Sequence, residues 1–144
     1  MKNIYLRVCS VNIPLLVRPP GGVTGWTSRG LVDQIDVTAT MMAIAGLDLT
    51  GEYGTPVVGK VRGGPTHGRA QFHKPWVVSE NYGFSMIRSD RYKLVVETDT
   101  LEPVEFYDLV ADPQELENQI DEPTHEDRRA HLKGELEDLM AATP

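Results

Sequence analysis

Seven glycines and prolines crowd the stretch from Gly51 to Pro65 (Gly51, Gly54, Pro56, Gly59, Gly63, Gly64 and Pro65). Few apolar residues lie between them, so the stretch can sustain neither a helix nor a ladder interior and reads as a linker over residues 48–68. The chain is thereby cut into two parts that cannot share one continuous element. The hydrophobic pattern differs on the two sides of the cut. Ahead of it lies one continuous apolar run and one helical segment. Beyond it the period becomes two.

In the first part, Ile13-Pro14-Leu15-Leu16-Val17 is continuously apolar and is stopped by Arg18-Pro19-Pro20-Gly21-Gly22. A run without alternation predicts a strand buried on both faces, the habit of parallel sheets. Pro14 would stand at its start, where a lost N–H is tolerated. The helix that follows carries Ile35, Ala39, Met42 and Gly46 near one stripe, widened by Met41, Ile44 and Ala45, with Asp36 as its cap and Gly46 as its C′ stop. Strand, loop and helix make half of a βαβ unit, and no second parallel strand follows.

In the second part, Trp76-Val77-Val78 and residues 84–88 predict two strands. A turn at Ser89-Asp90-Arg91 leads to a third, in which Tyr92, Leu94 and Val96 alternate with Lys93, Val95 and Glu97, and residues 104–107 make a fourth. Short strands at this spacing form an antiparallel meander. Leu132, Leu136, Leu139 and Met140 then recur at helical intervals after Thr124-His125-Glu126-Asp127, which resembles a capping box. At about 1.5–3 kcal/mol per buried apolar side chain, that stripe should lie on the sheet. The expected class is α+β: a four-stranded antiparallel sheet backed by a C-terminal helix, preceded by an orphan strand–helix piece.

Charge excludes one class of partner. Residues 97–144 hold fifteen acids and three bases, and residues 1–96 hold six acids and eleven scattered bases. A phosphate-backbone binder needs a basic stripe, so nucleic acid is not expected as a partner. The longest apolar run is far below the ~20 residues that span a bilayer, and the first seven residues lack the apolar core of a signal peptide. The expectation is a soluble chain with no membrane partner. Its compartment stays open, since a signal peptide could precede the segment.

The residues that could carry chemistry have simpler readings. Cys9 is the single cysteine. It has no histidine nearby in sequence and is read as a small buried hydrophobe. His67, His73 and Glu80 match no metal-ligand spacing, so no metal site is predicted. Asp33 and Asp36 could form a catalytic carboxylate pair, but a helix start attracts acids for capping and for the dipole. His125 and His131 stand six apart in the terminal helix and read as solvated residues.

Several segments, in order, resemble the C-terminal part of the sulfatase family within the alkaline-phosphatase superfamily. Residues 13–21 (I-P-L-L-V-R-P-P-G) are similar to the family's V-P-L-I-V-R-x-P-G strand. Residues 32–40 followed by Ala45-Gly46-Leu47 resemble V-x-x-x-D-[IL]-x-P-T…A-G-[IL], with Ala39 in place of the usual proline. Residues 85–94 (S-M-I-R-S-D-R-Y-K-L) resemble the hairpin R-x-[VI]-R-x-x-x-Y-K. Phe106-Tyr107-Asp108-Leu109 with Asp112-Pro113 and Glu115 to Asn118 resembles [LF]-Y-D-L-x-x-D-P-x-E-x-x-N.

The resemblance implies a hydrolase of sulfate esters, or of related phosphonates, built from two parts. The large α/β part carries a formylglycine made from a C/S-x-P-x-R motif and a divalent metal, usually calcium. The smaller part is an antiparallel sheet with a helix that shapes the substrate cleft. Residues 1–47 would be the final strand and helix of the large part, 48–68 the linker, and 69–144 the smaller subdomain. No catalytic residue, metal ligand or cofactor site is then expected in this chain. Cys9 is followed by Val11 and Ile13 where the motif needs proline and arginine. Lys2 alone echoes a family lysine that contacts sulfate, at altered spacing. The chain is expected to be inactive alone, and to pair with an N-terminal sulfatase half as an interaction module or to self-associate.

Overall fold

The computed structural model describes residues 6–18, 27, 29–47 and 74–141. In chain order the elements are α1 (Val8–Val11), α2 (Gln34–Ile44), β1 (Val77–Asn81), β2 (Phe84–Arg88), β3 (Tyr92–Glu97), β4 (Pro103–Asp108), a 3₁₀ turn (Pro123–His125) and α3 (Glu126–Ala141). They fall into two compact units, one of Met1–Pro14 with Trp76–Pro144 and one of Leu15–Pro75.

The first unit is the expected meander with its terminal helix. Its four strands run in the order β1-β2-β3-β4, each pair antiparallel. Tyr82 and Gly83 join β1 to β2 with φ of 49° and 79°. Both central residues of a two-residue type I′ turn need positive φ, which only Gly adopts without cost. A bulge at Val95/Val96 shifts the β3–β4 register before Pro103.

Helix α3 covers one face of the sheet. There Ile87, Leu94, Val96 and Phe106 pack with Leu132 and Leu136, flanked by Trp76, Tyr92 and Met140. Leu139 lies outside this contact. The start of α3 differs from the capping-box expectation. Pro123 opens a 3₁₀ turn whose N-cap is Glu122, without a side-chain bond. Thr124 therefore sits inside the first turn and cannot cap it.

The second face is covered by residues 6–11, which the sequence groups with the α2 segment. Leu6, Met86 and Val95 form a smaller buried cluster with Val11, Phe84 and Val104 around it. Both sets of β3 side chains are consequently buried, Lys93 and Val95 as well as Leu94 and Val96.

In the second unit, α2 ends as predicted. Gly46 adopts φ 78° and the Leu47 N–H reaches the Met42 carbonyl at 3.0 Å, a Schellman closure. Its buried face matches the predicted stripe only in part: Ala39 is buried and Met42 half-buried as expected, but Asp36 and Thr40 are buried with them while Ile35 and Met41 are exposed. Residues 13–17 also depart from expectation, lying in no helix or strand, with Leu16 96% exposed. A run buried on both faces needs ladder partners, and none of the described residues pairs with it.

Candidate functional site

The polar groups of the first unit converge on the face covered by residues 6–11. Lys93 and Tyr107 are neighbours across β3 and β4, so both side chains emerge on that face. The Lys93 ammonium donates to the Leu6 carbonyl and, at 2.9 Å, to Glu115 Oε2. The same carboxylate oxygen accepts the Val8 N–H at 3.1 Å, filling the cap of a helix whose own N-cap, Arg7, makes no side-chain cap bond. Arg7 donates to the Tyr107 hydroxyl at 3.1 Å, and that hydroxyl donates to Glu105 at 3.1 Å.

Glu115 is held in this geometry by an unusual backbone, with φ of 57°. A non-glycine residue in the left-handed region is strained by about 1–2 kcal/mol, so the surrounding contacts must over-determine it. The electrostatics are those of a dry pair. Burial lowers the Lys93 pKa, and the Glu115 and Glu105 charges only partly oppose it. Burial and then the Glu105 charge push the Tyr107 hydroxyl well up, so it remains a neutral donor.

Beside this cluster, Arg91 holds Asp108 in a forked contact at 2.9 and 3.2 Å. Asp108 also accepts the Val110 and Ala111 N–H groups, closing the turn after β4. The Arg91 bond depresses the Asp108 pKa, with burial opposing it. Asn118 then lies along the outer edge of β4. It accepts the Phe106 and Ile120 N–H groups at 3.0 and 3.1 Å and donates to the Val104 carbonyl at 3.0 Å.

In the second unit, Asp33 and Asp36 cap α2 reciprocally. The Asp33 N–H donates to Asp36 Oδ2 at 3.0 Å and the Asp36 N–H to Asp33 Oδ1 at 3.2 Å. Asp33 is thus the N-cap, and Asp36, expected in that role, is the residue reaching back. Lys74 binds both carboxylates, at 2.7 and 2.8 Å. Burial would lower its pKa, but the two carboxylates outweigh that and raise it. The pair is a cap with a counter-ion, and its oxygens are engaged.

Other residues singled out by sequence are placed as follows. Lys2, His67 and His73 lie outside the described residues. Glu80 is exposed on β1. Cys9 is exposed on α1, not buried, because Leu6 and Val11 are the residues of that segment that fill the apolar contact. His125 is not simply solvated, since its ring packs 5.2 Å from that of Phe106. His131 is exposed, edge-on to Trp76 and near Glu135. Among the described residues no three His, Cys, Asp or Glu side chains gather as a metal-binding group, so they do not fit the divalent metal of the resemblance. Among the same residues no helix is long and apolar enough to cross a membrane.

Sequence reasoning left the buried Lys93–Glu115 pair unremarked. Its one trace was that both residues fall in the segments resembling Y-K and D-P-x-E. Nothing in the arrangement activates a nucleophile. It fixes a backbone segment and the ends of β4.

Comparison with known proteins accounts for these segments together. A family model described as N-sulphoglucosamine sulphohydrolase, C-terminal, matches residues 3–142. Arylsulfatase K of Rattus norvegicus is 31% identical over 120 residues, and that of Homo sapiens 29%. Each match covers 76% of this chain but only 21% and 22% of the relatives, so the chain spans about a fifth of their length. Among solved structures, a putative sulfatase from Bacteroides thetaiotaomicron superposes with a TM-score of 0.58 at 25% identity, over 74% of this chain and 24% of that one. A 2-O GAG sulfatase gives 0.56 at 26% identity, with the same two coverages. The meander, its helix and the motifs that brace them are those of a sulfatase C-terminal subdomain, and the chain belongs to the N-sulphoglucosamine sulphohydrolase C-terminal family, the C-terminal portion of the sulfatases.

Proposed function

We propose that this chain shapes the substrate cleft of a sulfuric ester hydrolase and does not hydrolyse sulfate esters by itself. The observation that carries this reading is the family match over residues 3–142 in a chain spanning about a fifth of its relatives. In the same direction, the sequence around Cys9 (Cys9-Ser10-Val11-Asn12-Ile13) lacks the proline and arginine of a formylglycine site. Without a nucleophile and a metal to stabilise the developing charge, most of the rate enhancement has no source. Residues 1–47 belong in this reading to the edge of the large α/β part, with residues 6–11 reaching onto the subdomain sheet, 48–68 to a linker and 69–144 to the subdomain.

A second reading, an interaction module completing a separately encoded N-terminal half, has its own support. Leu15, Leu16, Val17, Ile35 and Met41 are exposed in the second unit, and exposed large apolar side chains favour an interface. Self-association would cover the same surface.

Turnover of an aryl sulfate by the repurified chain, with calcium or magnesium supplied, tests the first reading. No rate above a buffer blank is expected, and turnover that survives repurification overturns it. Sedimentation at tens of micromolar tests the second. A strict monomer that binds no hydrophobic dye would mean that the apolar surface needs no partner.

A further inference from the structure

Residues 6–11 touch the sheet in an unusual way. They add no strand to it, since the sheet holds β1 to β4 only. Within the segment Leu6 alone is fully buried. Val11 packs beside it, partly buried, and the rest of the grip is polar, with Lys93 on the Leu6 carbonyl, Glu115 on the Val8 N–H, and Arg7 between the Tyr107 hydroxyl and, at 3.5 Å, the Gln114 carbonyl. These contacts join residues 87 to 107 positions apart in sequence. The opposite face is held differently, by a broad apolar cluster under α3.

We infer that the sheet face bearing Lys93 and Tyr107, together with Glu115 of the loop after β4, is a peptide-docking surface whose occupant is the chain's own residues 6–11, a strap that detaches as a unit while the sheet and α3 stay folded. The receptor recognises two apolar side chains, Leu6 and Val11, the Leu6 carbonyl, the N–H two residues later, and the guanidinium between them. The left-handed backbone of Glu115 is the strain that keeps its carboxylate aimed at the strap. The inference rests on geometry within the first unit and is independent of the catalytic reading.

Hydrogen exchange on the full chain tests it, comparing wild type with Lys93→Met/Glu115→Leu. An apolar pair of similar volume keeps the sheet packed and removes both charges of the Lys93–Glu115 pair together. Protection at Val8, Ser10, Val11 and Asn12 should fall together by about tenfold or more, the scale of charge-assisted hydrogen bonds, with Leu94 to Val96 changed by less than about threefold. Loss in step at both places, or an unchanged strap, overturns the inference. Should the double variant fail to fold, wild type in mild urea decides. Strap amides should open with a weaker urea dependence than sheet amides, and equal dependence overturns it. In a third arm, an acetylated peptide of residues 6–14 is added to a Leu6→Asp/Arg7→Glu chain. Binding there but not to the Lys93→Met/Glu115→Leu chain supports the docking surface. Binding to both or to neither overturns it.

Discussion

Asn118 offers a clean perturbation, because its three hydrogen bonds divide by type. Its oxygen accepts from Phe106 and Ile120, and its nitrogen donates to the Val104 carbonyl. Together with the Gln119 N–H on the Phe106 carbonyl at 2.9 Å, these bonds occupy the outer edge of β4, an edge that would otherwise be open to pairing. Asn118→Ala removes all three. At a net value of about 1 kcal/mol each, with the freed backbone groups able to reach water, the loss is about 2–3 kcal/mol. Asn118→Asp keeps both acceptances, loses the donation and sets a carboxylate oxygen against the Val104 carbonyl, so it should cost about 1–2 kcal/mol. Urea unfolding followed through the exchange of the Leu94, Val95 and Val96 amides reads the difference. A loss of 2–3 kcal/mol moves the midpoint by roughly 1–2 M. If Asn118→Asp is as damaging as Asn118→Ala, or if Asn118→Ala stays within about 0.5 kcal/mol of wild type, the bonds do not carry the edge and the reasoning fails.

Three further outcomes follow from the same geometry. The folded-state pKa of Asp108 lies below its ordinary 3.8, so its bonds stabilise above that pH and are lost as pH falls through it; urea midpoints of wild type should drop below pH 4 while those of Asp108→Asn stay flatter. Leu136 is fully buried among Ile87, Leu94, Val96, Phe106 and Leu132, and Leu136→Ala should cost about 2–5 kcal/mol by the same measurement. Lys74→Met removes a cation from the buried Asp36 carboxylate and should weaken α2 by about 1–2 kcal/mol, allowing for the partial exposure of Lys74, as seen in helicity at 222 nm.

The sheet was legible because its information is local. Period-two alternation, the Tyr82-Gly83 and Ser89 to Arg91 turns, and the Leu132/Leu136 stripe each sit within a few residues of what they specify. The second face of the sheet was not legible. Lys93 alternates with apolar neighbours as a solvated lysine would, and its partners lie 22 residues ahead and 87 behind. The buried face of α2 was misjudged in part for a similar reason. Asp36 and Thr40 are buried because Lys74 and the helix's own carbonyls satisfy them, which no hydrophobic pattern encodes. The family pattern held more than the periodicities did, since Tyr107, Asp108, Glu115 and Asn118 are the residues that brace the strap and the β4 edge.

The central claim, that this chain completes a sulfatase without supplying its chemistry, is tested most directly by complementation. The chain and a separately produced N-terminal half of a sulfatase carrying the formylglycine would be assayed apart and together on an aryl sulfate with calcium present. We expect a co-sedimenting complex whose turnover exceeds that of either part alone. Turnover by this chain alone, or two parts that neither associate nor gain activity when mixed, would contradict the account.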